Sequence, residues 1–188
     1  MSKLVRSVAC VSLLITGAAT AATKPTLTTG EAKHVAGAAV AEARRVGAPS
    51  GAIAVVDDGG HLLYLERLDG TFPAASRISI EKARTAAVFR KQTADFETAV
   101  NGGRFAFIAN KEALPLQGGI PLLVDGQVVG AIGVSGAASA QQDTDLAKAG
   151  AAAALGAAPA GEVTQLDAER VRAAFAKGMP LLETPAYK

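Results

Sequence analysis

The chain has 188 residues, a net charge of +2 and 49% apolar residues, which suits one folded domain. Only 4% of the residues are aromatic and no basic stripe stands out, so nucleic-acid binding is not expected. The single cysteine, Cys10, lies in the N-terminal segment. A structural disulfide and a cysteine-based zinc or iron–sulfur site are therefore excluded.

The N-terminal segment is typical of a secretory leader. Lys3 and Arg6 precede a short apolar run that ends in small residues near Ala21. The run is shorter than the about 20 apolar residues that a membrane-spanning helix needs. We predict a signal peptide over residues 1–21, with cleavage after Ala21 or Ala22. The mature protein would then be periplasmic or secreted, with no membrane span and no net charge; a membrane anchor or a buried first helix is the alternative.

The first predicted helix spans Thr26 to Val46. Thr28 and Glu31 have the spacing of a capping box, in which the side chain of each residue accepts a hydrogen bond from the backbone amide of the other. Apolar residues recur at helical intervals until Gly47 ends the pattern.

Two β-hairpins are predicted where short apolar runs flank turn residues. The runs are Ala52–Asp57 with His61–Arg67, and Pro121–Val124 with Val128–Val134. Glycines are dense around the second hairpin, which indicates close approach of another backbone or of a ligand. These glycines are Gly118, Gly119, Gly130, Gly133 and Gly136.

Further helices are predicted between and after the hairpins. They are Ala74–Arg90, Thr93–Val100, Ala140–Leu155 and Asp167–Lys177. The order of elements predicts an α/β (α+β) fold in which one antiparallel sheet is flanked by helices. No strand–crossover–strand alternation supports a doubly wound parallel sheet.

Four segments follow one another at a specific spacing: Ala54–His61, Arg67–Gly70, Ser79–Phe89, and the glycine-rich stretch from Gly118 to Asp143. Together they resemble the GlcG/HbpS family of haem-binding and haem-degradation-associated proteins. The same domain forms the C-terminal part of PduO-type cobalamin adenosyltransferases. The resemblance assigns residues 22–156 to a GlcG/HbpS-like domain and leaves 157–188 as a C-terminal extension with one helix.

The resemblance implies a profilin-like or PAS-like sheet with helices, and a homo-oligomer, often an octamer. Some relatives are secreted and bind haem or iron, and one kind signals to a sensor kinase. A haem cofactor, an oligomeric state and a sensor-protein partner are therefore expectations for this chain.

Haem iron is usually held by His, Cys, Met or Tyr, and the mature chain has two histidines. His34 shares a face of the first helix with Gly37, Ala38 and Ala41, so a planar macrocycle or a neighbouring subunit can lie against it. The resemblance adds that some PduO-type relatives place the haem ligand in this helix. The alternative for His34 is a plain surface or interface histidine.

His61 follows a Gly-Gly turn and is the second candidate for ligating iron. It would act as a second haem ligand, or form an iron site with Asp57 and Asp58, although their spacing does not define a metal site. The alternative is a solvated turn residue. The remaining residues of a type that can ligate haem iron are Tyr64, Met179 and Tyr187.

Lys82, Arg67 and Arg84 are candidates for anchoring carboxylates such as haem propionates. The alternative is a solvated helix face. The glycines near Gly118 and Gly133 would turn backbone amides toward an anion, or else permit tight packing.

A nucleophile elbow and a phosphate-binding P-loop are both missing, which favours a binding protein over an independent enzyme. The sequence therefore predicts an exported haem-binding oligomer that senses or handles haem or iron. The first alternative is a periplasmic accessory protein or enzyme acting on a small organic metabolite. The second is a structural oligomer or signalling partner.

Overall fold

The computed structural model describes residues 25–156. Their helices are α1 (Thr29–Arg45), α2 (Ala75–Phe89), α3 (Thr93–Asn101) and α4 (Ala140–Gly156), with a short 3₁₀ helix at Phe105–Ala109. The strands are β1 (Ala52–Asp57), β2 (Leu62–Arg67), β3 (Gly119–Val124) and β4 (Gln127–Ser135). The predicted leader, the helix at Asp167–Lys177, Met179 and Tyr187 lie outside the described residues.

The four strands form one antiparallel sheet in the order β2-β1-β4-β3. This confirms the α+β architecture and both predicted hairpins. Strand β1 is central, and its residues Ala52 to Val56 are buried. Pro121 lies in β3, an edge strand, where a residue without an amide hydrogen does not interrupt the sheet.

Helices α1 and α4 pack on each other and cover one face of the sheet. The capping box of Thr28 and Glu31 is present, as the sequence predicted. The two helices approach closely because Gly150 has no side chain: a Cβ there would lie 2.5 Å from Cδ1 of Ile132 and 2.9 Å from the carbonyl oxygen of Val35. This face holds the larger apolar core.

Helix α2 covers the opposite face and contacts the sheet backbone directly. A Cβ on Gly133 would lie 2.1 Å from the carbonyl oxygen of Ser79 and 2.5 Å from the amide nitrogen of Ala83. A Cβ on Gly119 would lie 2.4 Å from the carbonyl oxygen of Lys82. Gly119 and Gly133 of the second hairpin therefore serve close backbone approach between helix and sheet.

Helix α3 and the 3₁₀ helix are joined to α2 by aromatic contacts. The ring centroids of Phe89 and Phe96 are 5.1 Å apart, and those of Phe96 and Phe107 are 5.2 Å apart, both edge to face. The sequence analysis did not predict the 3₁₀ helix, since a five-residue segment is too short to show a hydrophobic period.

Within residues 25–156, no helix combines the length and hydropathy needed to cross a bilayer.

Candidate functional site

His34 lies on the outward face of α1, exposed to solvent. Its neighbours in sequence, Val35 and Ala36, point into the core. On the outward face, Gly37 is open: a Cβ there would meet no atom within 4 Å. Ala41 is also exposed, so the residues on the C-terminal side of His34 along this face are small. Within the described residues the imidazole has no hydrogen-bond or ion-pair partner, which leaves both ring nitrogens available to a ligand.

His61 lies at the turn between β1 and β2 and is held by Asp57. The Asp57 carboxylate accepts the backbone N–H groups of Gly59 (2.9 Å) and His61 (2.8 Å), and its Oδ2 lies 3.1 Å from Nδ1 of His61. Burial alone would raise the pKa of Asp57, but the hydrogen bonds and charge of His61 and the Gly59 amide outweigh it and lower the pKa. The His61 side chain is 82% exposed, so the pair is a surface arrangement.

Lys82 is buried between α2 and the sheet. Its ammonium donates to the carbonyl oxygen of Val134 and to Oδ2 of Asp143, both at 2.9 Å. The other carboxylate oxygen of Asp143 accepts the amide of Ala137, also at 2.9 Å. Neither sequence-based interpretation of Lys82 anticipated this ion pair. The charge is already neutralised inside the protein, where it ties α2 to the end of β4 and the first turn of α4.

Arg67 ends β2 and is exposed. Its guanidinium donates to the carbonyl oxygen of Thr71. The Thr71 hydroxyl donates to the carbonyl oxygen of Leu68 (2.7 Å) and accepts the amide of Gly51 (2.9 Å). This network organises the loop after β2. Arg67 and His61 therefore lie at opposite ends of one strand.

The remaining candidates also have local partners. The hydroxyl of half-buried Tyr64 donates to Glu66 at 3.1 Å, and this hydrogen bond, with burial, raises the Tyr64 pKa. The guanidinium of Arg84 pairs with Glu112 at 2.6 Å. Both contacts are interactions between side chains at the protein surface.

The predicted site residues do not converge. His34 lies on the outer surface of α1, Lys82 is on the other side of the sheet, and Arg67 and His61 occupy the two ends of β2. Arg67 pairs with Ala52 at the start of β1, close in sequence to the end of α1; His34 is about 16 Å of helix from that end. Among residues 25–156, no three His, Asp or Glu side chains group as metal ligands do.

The Gly118–Gly119 segment uses the Gly119 amide and the Gly118 carbonyl inside the protein. The amide of Gly119 donates to the Thr93 hydroxyl at 2.9 Å, and the Gly118 carbonyl accepts from Val134 at 2.9 Å. Of the two sequence-based interpretations, tight packing fits these contacts.

Asp143 is the buried charged residue that the sequence analysis passed over. The sequence feature that could have indicated such a partner is the position of Lys82. It falls three residues after Ser79 and next to Ala83, on the buried face of α2. A lysine on a buried helix face needs a carboxylate partner. The partner is 61 residues away in sequence, so helix spacing alone could not identify it.

These features define an α+β protein of one antiparallel sheet, with a helix pair on one face and a glycine-packed helix on the other. The sequence matches the family described as haem degrading protein HbpS-like over residues 27–152. This match covers more than half of the chain, and the protein belongs to that family.

Relatives agree with this assignment. The chain is 55% identical over 83 residues to protein GlcG of Escherichia coli K12; the match covers 44% of this chain and 62% of that protein, just under two thirds of its length. Solved structures with the same fold include HbpS of Streptomyces reticuli, with a TM-score of 0.64, 31% identity and coverage of 77% of this chain and 97% of that one. A PduOC:heme complex has a TM-score of 0.61 and 25% identity, covering 69% and 95%.

Proposed function

We propose that this protein binds haem on the outward face of α1, with the imidazole of His34 as an axial ligand to the iron. Histidine is the commonest protein ligand of this kind, and it coordinates in its neutral form. The observation that carries the proposal is the exposed, unpartnered His34 within the described residues, beside the open backbone of Gly37. Membership of an HbpS-like family and likeness to a PduOC:heme complex support it.

The structure supports the predicted iron ligand, His34, better than it supports the predicted propionate anchors, Lys82 and Arg67. Lys82 is committed to Asp143, and Arg67 lies near the far end of α1. Lys33, exposed next to His34, is better placed to offer a charge to a propionate. The roles of Lys82 and Arg67 in binding haem stay predictions that these contacts do not favour.

The proposal includes self-association, because a haem lying on the surface of α1 would be half open to water in a monomer. Apolar side chains outside the core support association of copies: Phe105 and Ile108 of the 3₁₀ helix are 66% and 65% exposed. They are three residues apart, so a 3₁₀ helix places them on one side. Export to the periplasm or beyond remains part of the proposal, on the basis of the leader-like residues 1–21.

A haem titration of the full chain tests the ligand and the residue together. We expect a saturable Soret band in the wild type, a loss of that band in His34→Ala, and a wild-type titration in His61→Ala. His61→Ala is the matched control, because it removes the other described imidazole while leaving α1 intact. A wild-type spectrum equal to that of free haem would refute haem binding, and a normal titration of His34→Ala would refute the assigned ligand.

Light scattering tests the association separately. We expect a mass of several subunits for the wild type and a lower mass for Phe105→Glu, which places a charge in the apolar patch. A wild-type monomer in the presence and absence of haem would contradict the oligomer.

A further inference from the structure

A pocket that is half open to solvent lies at the tip of the β3–β4 hairpin, beyond the end of α2. Its volume is about 390 Å³, and it is lined by Arg90, Leu123, Gly126, Gln127 and Val128. This volume is within the range of small-molecule sites. The lining residues include one arginine and one glutamine together with a leucine and a valine.

The pocket exists because α2 ends before it covers the hairpin. The helix ends at Phe89, and the next residue, Arg90, has a left-handed backbone with φ of 54°. Leu123 beyond it stays 40% exposed. An irregularity between Leu122 and Leu123 brings Leu123 opposite Val128, so these two side chains share a face of the hairpin.

Arg90 is an unusual residue for this position. A left-handed residue after a helix is commonly glycine, since any side chain there is strained. Within residues 25–156 the Arg90 guanidinium has no hydrogen bond or ion pair. A strained backbone at an arginine that lines a pocket and has no partner among the described residues is the observation that points to a ligand here.

We propose that this pocket binds a short-chain aliphatic carboxylate. The planar guanidinium of Arg90 matches a carboxylate through two parallel hydrogen bonds. Leu123 and Val128 would cover the apolar chain, and Gln127, which also lines the pocket, has a side-chain amide that can donate to the carboxylate. Inorganic phosphate fits less well, because the apolar wall offers no partners for its remaining oxygens.

The pocket is distinct from the proposed haem site. It lies where α2 ends, whereas α1 and His34 are on the opposite face of the sheet. None of its lining residues takes part in the haem proposal. His34→Ala should therefore bind a carboxylate as the wild type does, and the two proposals can fail independently.

Titration of the full chain with hexanoate tests the pocket, followed by NMR of the Leu123 and Val128 methyl groups. We expect saturable shifts at these methyls, and much weaker ones with hexanamide, which has the same shape without the charge. Arg90→Gln should weaken hexanoate binding by about tenfold or more, the effect of losing one charged anchor. Lys91→Gln is the matched control, because it removes an adjacent exposed charge that does not line the pocket.

Arg90→Gly separates binding from folding. The glycine relieves the left-handed strain, so we expect a melting temperature at or above that of the wild type together with lost hexanoate binding. Absence of saturable hexanoate shifts in the wild type would overturn the proposal. Equal binding of hexanamide, undiminished binding by Arg90→Gln, or a preference for inorganic phosphate would overturn it as well.

Discussion

The contact between α2 and the sheet and the outward face of α1 use the same residue types for opposite purposes. At the first, Gly133 admits the backbone of α2 and Lys82 is buried on Asp143. At the second, Gly37 opens onto solvent and His34 is exposed. Gly133 is required by the neighbouring backbone of α2, whereas Gly37 leaves the surface of α1 uncovered.

This difference shows that the structural role of a glycine or a basic residue depends on whether it faces another part of the protein or solvent. A small residue against a backbone is a packing requirement, while a small residue against solvent creates a flat surface. Likewise, an ionisable side chain inside the protein must be paired, whereas an exposed one remains available. The outward face of α1 is therefore the better candidate for ligand binding.

The largest effect is expected for Gly133→Ala. The added Cβ would lie 2.1 Å from the carbonyl oxygen of Ser79, so α2 has to move away from β4. We expect a loss of about 4 kcal/mol or more in unfolding free energy, measured by urea denaturation. A variant as stable as the wild type would show that the helix is not packed directly on the sheet backbone.

Lys82→Met should come next in size. It removes the ammonium and leaves the Asp143 carboxylate buried with the Ala137 amide as its remaining partner. Breaking a buried pair in this way costs about 3 kcal/mol or more. The control is Lys148→Met, at an exposed position of α4, which should unfold within about 0.5 kcal/mol of the wild type. Equal stability of the two variants would contradict the buried pair.

Gly37→Ala should act in the opposite direction to Gly133→Ala. The new methyl group meets no atom within 4 Å, and alanine favours the helix over glycine. We expect a gain of about 0.5–1 kcal/mol in the same denaturation experiment. Destabilisation would mean that another part of the chain covers this face.

The smallest effect is expected at the exposed turn of Asp57. Its pKa is lowered in the folded protein, so its contribution to stability is present above the ordinary aspartate pKa and is lost as pH falls through the folded value. Asp57→Ala should cost about 0.5 kcal/mol at neutral pH, since the side chain is close to solvent. Denaturation at a series of pH values should show this difference disappearing in acid; a difference that persists would contradict the assignment.

Local patterns in the sequence were enough to predict most of the fold. The capping box at Thr28 and Glu31 identifies the start of α1, and β-branched residues between turn signals identify β1 at its observed bounds. The short 3₁₀ helix was missed, because its Phe107 is held by contacts with Phe96 and the cation of Arg104 instead of by a repeating pattern.

The candidate site could be predicted only where one helix defines it. Helical spacing puts His34 beside Gly37, and the structure has both on the exposed side of α1. It could not reveal that Lys82 meets Asp143, or that Arg90 faces the β3–β4 hairpin, since those neighbours come together through tertiary packing.

Haem titration of Gly37→Leu tests most directly the claim that haem binds on the outward face of α1. Leucine is a better helix former than glycine, so the variant should be at least as stable as the wild type, while its side chain covers the flat surface beside His34. We predict a haem affinity reduced by about tenfold or more, equivalent to about 1.4 kcal/mol. A titration identical to that of the wild type would contradict the account.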